Sequence, residues 1–229
     1  CYITSAGFAD LYLVFAKTNP EAGRNGISAF IVTADTPGIT ISPPEKKMGA
    51  QLSPIASMTF ADVRVPVEAR LGDENAGYAV ALGGLAGGRI NIAACAVGLA
   101  RTALKRAIDY TRERKQFGES VASFQGVQFM LADMKMQLEA ARLLTLDAAE
   151  QLARDPQARS NRIKASLAKC FATDAAMKVT TDAVQLFGGA GYIVEYGVEQ
   201  LMRDAKMLQI VEGTNQIQRS VIARELMRD

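Results

Sequence analysis

Two hydrophobic periods divide the chain. Over residues 1–70, β-branched and aromatic residues come in short runs broken by turn formers, which predicts strands. The runs are Tyr2-Ile-Thr4, Asp10 to Thr18, Ile27 to Thr33, Gly38 to Ser42, and Ala56 to Val65, the last closed by Pro66. A loop with Pro20, Gly23 and Gly26 separates the second run from the third. Such a series indicates an antiparallel sandwich or small barrel. From Asp73 the period lengthens to three and four. Val127, Met130, Leu131, Met134, Leu138, Ala141, Leu144 and Ala148 form the clearest helical stripe, and Asp155-Pro156 ends it. A helix over about 78–114 has Ile92, Cys95, Ala96, Leu99, Ala103 and Ile108 as its inner side. Another over about 158–187 has Ile163, Leu167, Cys170, Phe171, Met177 and Val184. The last covers about 215–227, where Asn215-x-x-Gln218 matches a capping pattern just after Gly213. The fold class is therefore α+β: an antiparallel β-sandwich or barrel domain over 1–72, then an up-and-down four-helix bundle over 73–229.

Composition narrows the chemistry. A hydrophobic share of 49% with 22% charge belongs to a folded protein with a real core. A net charge of +2 with no Lys/Arg block argues against nucleic acid. The longest uncharged run, Asn75 to Gly88, is too short to span a bilayer, so no membrane partner is expected. Cys1, Cys95 and Cys170 form no metal or disulfide pattern, which points to a reducing compartment: bacterial cytoplasm or mitochondrial matrix, not the secreted space. The opening at Cys1, inside a strand-like run, reads as the C-terminal part of a longer protein. The chain has no histidine, so a general base near neutral pH must be a carboxylate, lysine, tyrosine or thiolate. Glu212 is the candidate. It follows the apolar stretch Met207 to Val211, whose contact would raise a carboxylate's pKa, and it precedes a glycine turn and a helix start.

Three further stretches bear on that site. Arg112-Glu-Arg-Lys-Gln-Phe-Gly118 could grip a phosphate and stack a base, or could be a basic helix C-terminus with Gly118 as its cap. Gln185-Leu-Phe-Gly-Gly189 with Gly191 could let a ligand approach the backbone, or could be a helix cap; it is not a dinucleotide fingerprint. Gly83-Gly84-Leu-Ala-Gly87-Gly88-Arg89 places four glycines in a helical stretch, which suggests close packing, and Arg89 needs a partner if buried.

In order and spacing these stretches resemble the acyl-CoA dehydrogenase family. The resemblance runs over Tyr2-Ile-Thr4, Gly88-Arg89, Arg114 to Gly118, Phe124-Gln125, Gln185 to Gly191, Met202 to Lys206, and Val211-Glu-Gly-Thr-x-Gln-Ile-Gln-Arg219. It implies a middle β-domain and a C-terminal helical bundle, with the family's N-terminal helical domain missing, and a homotetramer built as a dimer of dimers. It implies an FAD enzyme in which Glu212 removes the α-proton of an acyl-CoA thioester while the β-hydride passes to flavin N5. Tyr2, Ile3 and Thr4 would lie along the flavin. Arg114, Gln116, Phe117, Phe124, Gln125 and the run Gln185, Leu186, Phe187, Gly188 and Gly189 would meet the adenosine diphosphate half, partly across a subunit interface, with Thr214, Asn215 and Gln216. Arg89, Glu212 and Gly213 would face the substrate; an acidic residue that some members carry three positions before the arginine is Ala86 here. Gly87 to Cys95 looks most like the isobutyryl and short-branched-chain members, so a short, branched acyl group is expected. The expected electron acceptor is an electron-transfer flavoprotein. The rivals are an acyl-CoA oxidase that uses oxygen and a non-catalytic flavin-binding relative, and a chain without the first domain could be inactive alone.

Overall fold

The structure is a computed structural model that describes residues 1–228. It separates into two compact units, Cys1–Gly84 and Leu85–Asp229. The first holds the expected antiparallel strands as three small sheets. β2 (Leu11–Lys17) and β3 (Ile27–Thr33) pair from Leu11↔Thr33 to Lys17↔Ile27, and β7 (Arg70–Leu71) joins the far side of β3. β1 (Ile3–Thr4) pairs β5 (Ile55–Ala56), and β4 (Ile39–Ile41) pairs β6 (Met58–Phe60). The strand expected over 56–65 is interrupted after Phe60, because Asp62 takes a left-handed φ of 51° that no strand accommodates. The Pro20–Gly26 loop coils as 3-10 turns, and its ends close through Thr18 N–H to Gly26 O at 2.8 Å. On β2 the alternation is plain: Tyr12 is buried, while Leu11, Leu13 and Phe15 lie on the exposed face with Ile31 of β3.

The helix expected over 78–114 is two helices. α1 (Gly77–Gly83) packs on β3 within the first unit, and α2 (Leu85–Glu113) begins the second. The break falls at the Gly83-Gly84 pair, where helix propensity is lowest. The second unit continues with α3 (Gln125–Arg154), α4 (Asn161–Phe187), α5 (Val198–Leu208) and α6 (Asn215–Leu226). α4 is the central helix and packs on α2, α3, α5 and α6. Its buried face is rich in alanine, including Ala165, Ala168, Ala172, Ala176 and Ala183, opposite Ala93, Ala96, Ala100, Ala103 and Ala107 of α2. Small residues let the two backbones approach closely. For that reason the bulkier Leu167 and Phe171, expected inside, lie 39% and 37% exposed, and Cys95 is exposed too. On α3 the expected stripe holds, with Met134, Leu138, Ala141 and Ala148 buried.

The stretch Gly77–Glu113 is long and apolar enough, by length and composition, to cross a membrane. It is broken at Gly84, and α2 carries a buried arginine and packs along α4 and α3, which is the setting of a bundle helix. α5 was not among the expected helices, although Val198, Leu201, Met202, Ala205 and Leu208 carry the helical period after Gly197.

Candidate active site

Between α5 and α6 the chain makes a tight turn that carries Glu212. Asn215 N–H reaches back to Gln209 O at 3.0 Å, and the turn places Glu212 and Gly213 at φ values of 56° and 88°. A left-handed conformation costs a residue with a Cβ roughly 1–2 kcal/mol, so the surrounding contacts must hold Glu212 there. They do so through the two carbonyls of the turn. Gln218 Nε2 donates to Glu212 O at 3.1 Å and to Gly213 O at 2.9 Å. Arg89 Nε reaches Glu212 O at 3.5 Å, and Lys169 Nζ donates to Gly213 O at 3.0 Å. Gly213 has to be glycine: a Cβ there would stand 2.8 Å from Gln218 Nε2.

The Glu212 side chain is exposed, which corrects the expectation that Met207 to Val211 press on it. The left-handed turn sets the carboxylate over α2 instead. A Cβ on Gly88 would come 2.7 Å from Glu212 Oε2, so the glycine makes room for the carboxylate. Arg89 beside it is buried, with its Nη1 3.4 Å from Ser166 Oγ. Burial first and Arg162 second push its guanidinium below its ordinary value, while Glu212 pulls the other way.

Beneath the turn lies a buried polar network that was not among the expected features. Lys169 is fully buried and donates to Asn215 Oδ1 at 2.8 Å as well as to Gly213 O. Burial pushes its ammonium down to about 8. Asn215 in turn donates to Asp174 Oδ1 at 2.7 Å and to Thr173 Oγ1 at 2.9 Å. Asp174 also takes hydrogen bonds from Gln209 and Arg219, each at 2.6 Å. Burial alone would raise the Asp174 carboxyl; the bonds from Arg219, Gln209 and Asn215 outweigh it and hold the group below its usual value. A sequence signal for this network existed. Ser166, Lys169 and Thr173 form a polar stripe at helical spacing within an alanine-rich helix.

The network also corrects one expectation for Asn215. Its side chain is turned into the bundle, where Lys169, Thr173 and Asp174 occupy it. It is not the helix cap: Thr214 Oγ1 accepts from Ile217 N–H at 3.3 Å, and Gln218 serves the turn. Thr214 thus caps α6, and Gln216 is exposed on its first turn.

A second concave region lies at the far end of α4. Lys169 and Phe187 are eighteen residues apart on that helix, about 27 Å along its axis. A cavity of about 660 Å³ gathers Arg114, Gln116, Gln185, Leu186, Phe187, Gly188 and Gly189. Its floor is aromatic, with Phe187 stacked on Tyr110 at 4.1 Å and Tyr196 edge-on to both. Gly188 and Gly189 meet nothing within 4 Å where a Cβ would stand, so their backbone borders open space. The Arg112 to Gly118 stretch does not end as a capped helix. β8 (Lys115–Gln116) and β9 (Glu119–Ser120) form a small hairpin turned at Phe117 and Gly118, with φ values of 55° and 87°. Phe117 stands 93% exposed at its tip, edge-on to Phe124 at 6.2 Å, and Gln125 opens α3. Among the expected cofactor residues, then, Arg114, Gln116 and Gln185 to Gly189 converge on one cavity. Thr214 and Gln216 lie next to the Glu212 turn, at the start of α6. Tyr2, Ile3 and Thr4 lie in the first unit, with Tyr2 at a φ of 57° and 71% exposed, just ahead of β1.

Comparison with known proteins places both parts of the chain in one family. Residues 1–63 match the family description "Acyl-CoA dehydrogenase, middle domain", and residues 75–227 match "Acyl-CoA dehydrogenase, C-terminal domain". A probable acyl-CoA dehydrogenase of Mycobacterium tuberculosis, FadE25, is 51% identical over 228 residues, covering all of this chain and 58% of the relative. The structure of butyryl-CoA dehydrogenase from Megasphaera elsdenii superposes with a TM-score of 0.95 at 47% identity, covering 99% of this chain and 58% of that one. A chain in a structure of the electron transferring flavoprotein of Acidaminococcus fermentans, described in connection with flavin-based electron bifurcation, superposes with a TM-score of 0.95 at 49% identity, covering 100% and 59%. The chain thus spans less than two thirds of the length of these relatives.

Proposed function

The chain belongs to the acyl-CoA dehydrogenase family, and from that premise we propose that it carries out FAD-dependent α,β-dehydrogenation of a short acyl-CoA thioester with Glu212 as the base. The observation that carries the proposal is the Glu212 turn. A carboxylate on a left-handed residue, gripped at two carbonyls by Arg89, Lys169 and Gln218, has its aim fixed before substrate arrives. In the proposed reaction the Glu212 carboxylate takes the α-proton. The Glu212 backbone N–H donates to the thioester carbonyl, which acidifies that carbon. Gly88 leaves space for the carboxylate. With no histidine in the chain, no imidazole competes for the role.

The second cavity suits the adenosine diphosphate part of FAD. Arg114 can fork onto a phosphate, Gln116 and Gln185 supply amide donors and acceptors, Phe187 and Tyr110 offer an apolar wall, and the bare glycine backbone admits close approach. Bound FAD would supply the two-electron acceptor for the β-hydride. The separation of about 27 Å along α4 between this cavity and the Glu212 end fits the expectation that copies share cofactors across an interface. So does an exposed apolar stripe on α3, where Phe129, Met136 and Leu143 recur every seven residues, as in helix-to-helix assembly. A homotetramer is the assembly this reading expects. An electron-transfer flavoprotein is the expected acceptor, since a 49% identical chain occurs in the Acidaminococcus structure.

For the acyl group, Gly87 to Cys95 favours a short branched chain, while the butyryl-CoA relative favours a straight one. An anaerobic titration of the FAD-loaded chain with butyryl-CoA and isobutyryl-CoA decides both points. Loss of the flavin absorbance with either thioester supports the reading, and the faster of the two names the acyl class. FAD that is bound but bleached by neither thioester, in a protein that also carries the family's N-terminal helical domain, would overturn it. Rapid hydrogen peroxide release once air is admitted would point to an oxidase.

Gly88 gives a second test. In Gly88→Ala the added methyl forces the flexible Glu212 carboxylate to move, whereas the helix gains up to about 1 kcal/mol of intrinsic propensity. Thermal melting should be unchanged or higher while bleaching slows roughly tenfold or more, as expected when a reacting group is displaced by a fraction of an ångström. Bleaching at the native rate would mean that the carboxylate does not work from its place over α2.

A further inference from the structure

We propose that Lys169 is a positioning residue for the Glu212 turn: one buried ammonium group on α4 holds the Gly213 carbonyl and the Asn215 side chain together and so sets the aim of the base. The inference rests on the reading of Glu212 as the base. Its support is geometric. Lys169 has no exposed surface, and taking an ammonium group out of water is unfavourable unless its donors are matched. Both of its acceptors lie on the 213–215 segment, more than forty positions away in sequence, and one of them is the carbonyl that follows Glu212. α4 packs on α2, α3, α5 and α6, so the lysine reaches the turn from the central helix of the unit. Gln218 holds the same Gly213 carbonyl from α6, and Arg89 holds Glu212 O from α2. Three helices thereby converge on one turn. Of these donors only the lysine changes its charge near neutral pH.

The charged and titratable neighbours of Lys169 are Cys170 and Asp174 on its own helix, Arg89 on α2 and Glu212 on the turn, with Arg219 of α6 paired to Asp174. The arginines stay ionised, the Cys170 thiol is pushed up by burial, and Asp174 is held down by its hydrogen bonds. Burial brings Lys169 itself down to about 8. The sign has two consequences that oppose each other. Its folded value is below its unfolded one, so the unfolded chain binds more protons between about 8 and the ordinary lysine value, and stability rises with pH there. Over the same range the turn loses the charge assistance of its hydrogen bonds and loosens. A lysine with only a packing role would give the first effect without the second.

The test measures amide hydrogen exchange over residues 211–216, together with the bleaching rate, in the native chain, Lys169→Met and Thr180→Val. Thr180 is also fully buried on α4 but bonds only to its own helix, so it controls for general destabilisation. Lys169→Met should raise exchange at the turn by about tenfold to a hundredfold, as loss of a charge-assisted hydrogen bond implies, and should lower kcat with little change in KM. Thr180→Val should do neither. A folded Lys169→Met chain with native exchange over 211–216 would overturn the proposal. If that variant does not fold, the unaltered chain carries the test. Between pH 7 and 9.5, exchange at the turn, corrected for its intrinsic rate, should climb through about pH 8 while global stability rises, and a flat profile would overturn the proposal. Glu212→Gln separates the two readings. Full turnover in that variant would remove Glu212 as the base, and the exchange data would still decide whether Lys169 holds the turn.

Discussion

Glu212→Gln should bind FAD, melt within about 0.5 kcal/mol of the native chain, and be bleached by acyl-CoA roughly 10²- to 10⁴-fold more slowly. The substitution keeps the shape and length of the side chain and removes only its capacity to accept a proton. Stability should hardly move, because the side chain is exposed and the turn is held by its backbone carbonyls. The Glu212 N–H also survives, so binding of the thioester should persist while chemistry fails, which appears as a fall in kcat rather than a rise in KM. Glu212→Asp sharpens the test. It retains a carboxylate but withdraws it by one methylene, and a misplacement of about 1 Å can cost on the order of a hundredfold. Stopped-flow absorbance under nitrogen measures both. Equal bleaching by the native chain and the glutamine variant would remove Glu212 from the reaction.

Asn215→Leu should cost the second unit about 3 kcal/mol, seen as a drop in Tm of roughly 6–12 °C. Leucine has the same branched skeleton and is no smaller, so the loss comes from polar groups left behind rather than from a cavity. Lys169 would keep a buried charge with one acceptor fewer, and Asp174 would lose one of its three hydrogen-bond donors. Asn215→Asp separates those two effects. An aspartate still accepts from Lys169, but it places a carboxylate where the amide now donates to Asp174 at 2.7 Å. If the two variants are equally destabilised, the damage is general. If the aspartate is worse at pH 7 and recovers as the pH falls toward 4, the contact with Asp174 is the sensitive one. A leucine variant with native Tm would show that the network does not stabilise the unit.

Much of this protein is legible in its amino-acid order, and what is legible has a local cause. Period two over 1–70 and period three to four beyond it separate strands from helices because side-chain direction follows backbone geometry residue by residue. The α3 stripe and the end of α3 before Pro156 need nothing more. The family resemblance rests on spaced motifs, and spacing is a property of the chain itself. Size is what misleads. Bulk marks Leu167 and Phe171 as inner residues, yet α2 and α4 meet along alanines, and those two side chains lie partly exposed. Hydrophobic scales reward bulk, but the closest contact between two helices selects small residues, and only the partner helix reveals which face that is.

The amino-acid order by itself determined the class of fold, the order of most of the elements, the absence of any imidazole, and the presence of a glutamate at a glycine turn ahead of a helix. Tertiary structure decided the rest of the site. Glu212 lies over Gly88, 124 positions away in sequence. Its carbonyl and that of Gly213 are gripped by Arg89, Lys169 and Gln218. Asn215 faces inward because a buried ammonium and a partly buried carboxylate both require it. Periodicity reports which side of an element avoids water, a property each residue carries alone. A hydrogen bond between distant residues depends on how helices are stacked and rotated, and that is settled by the packing of the whole unit.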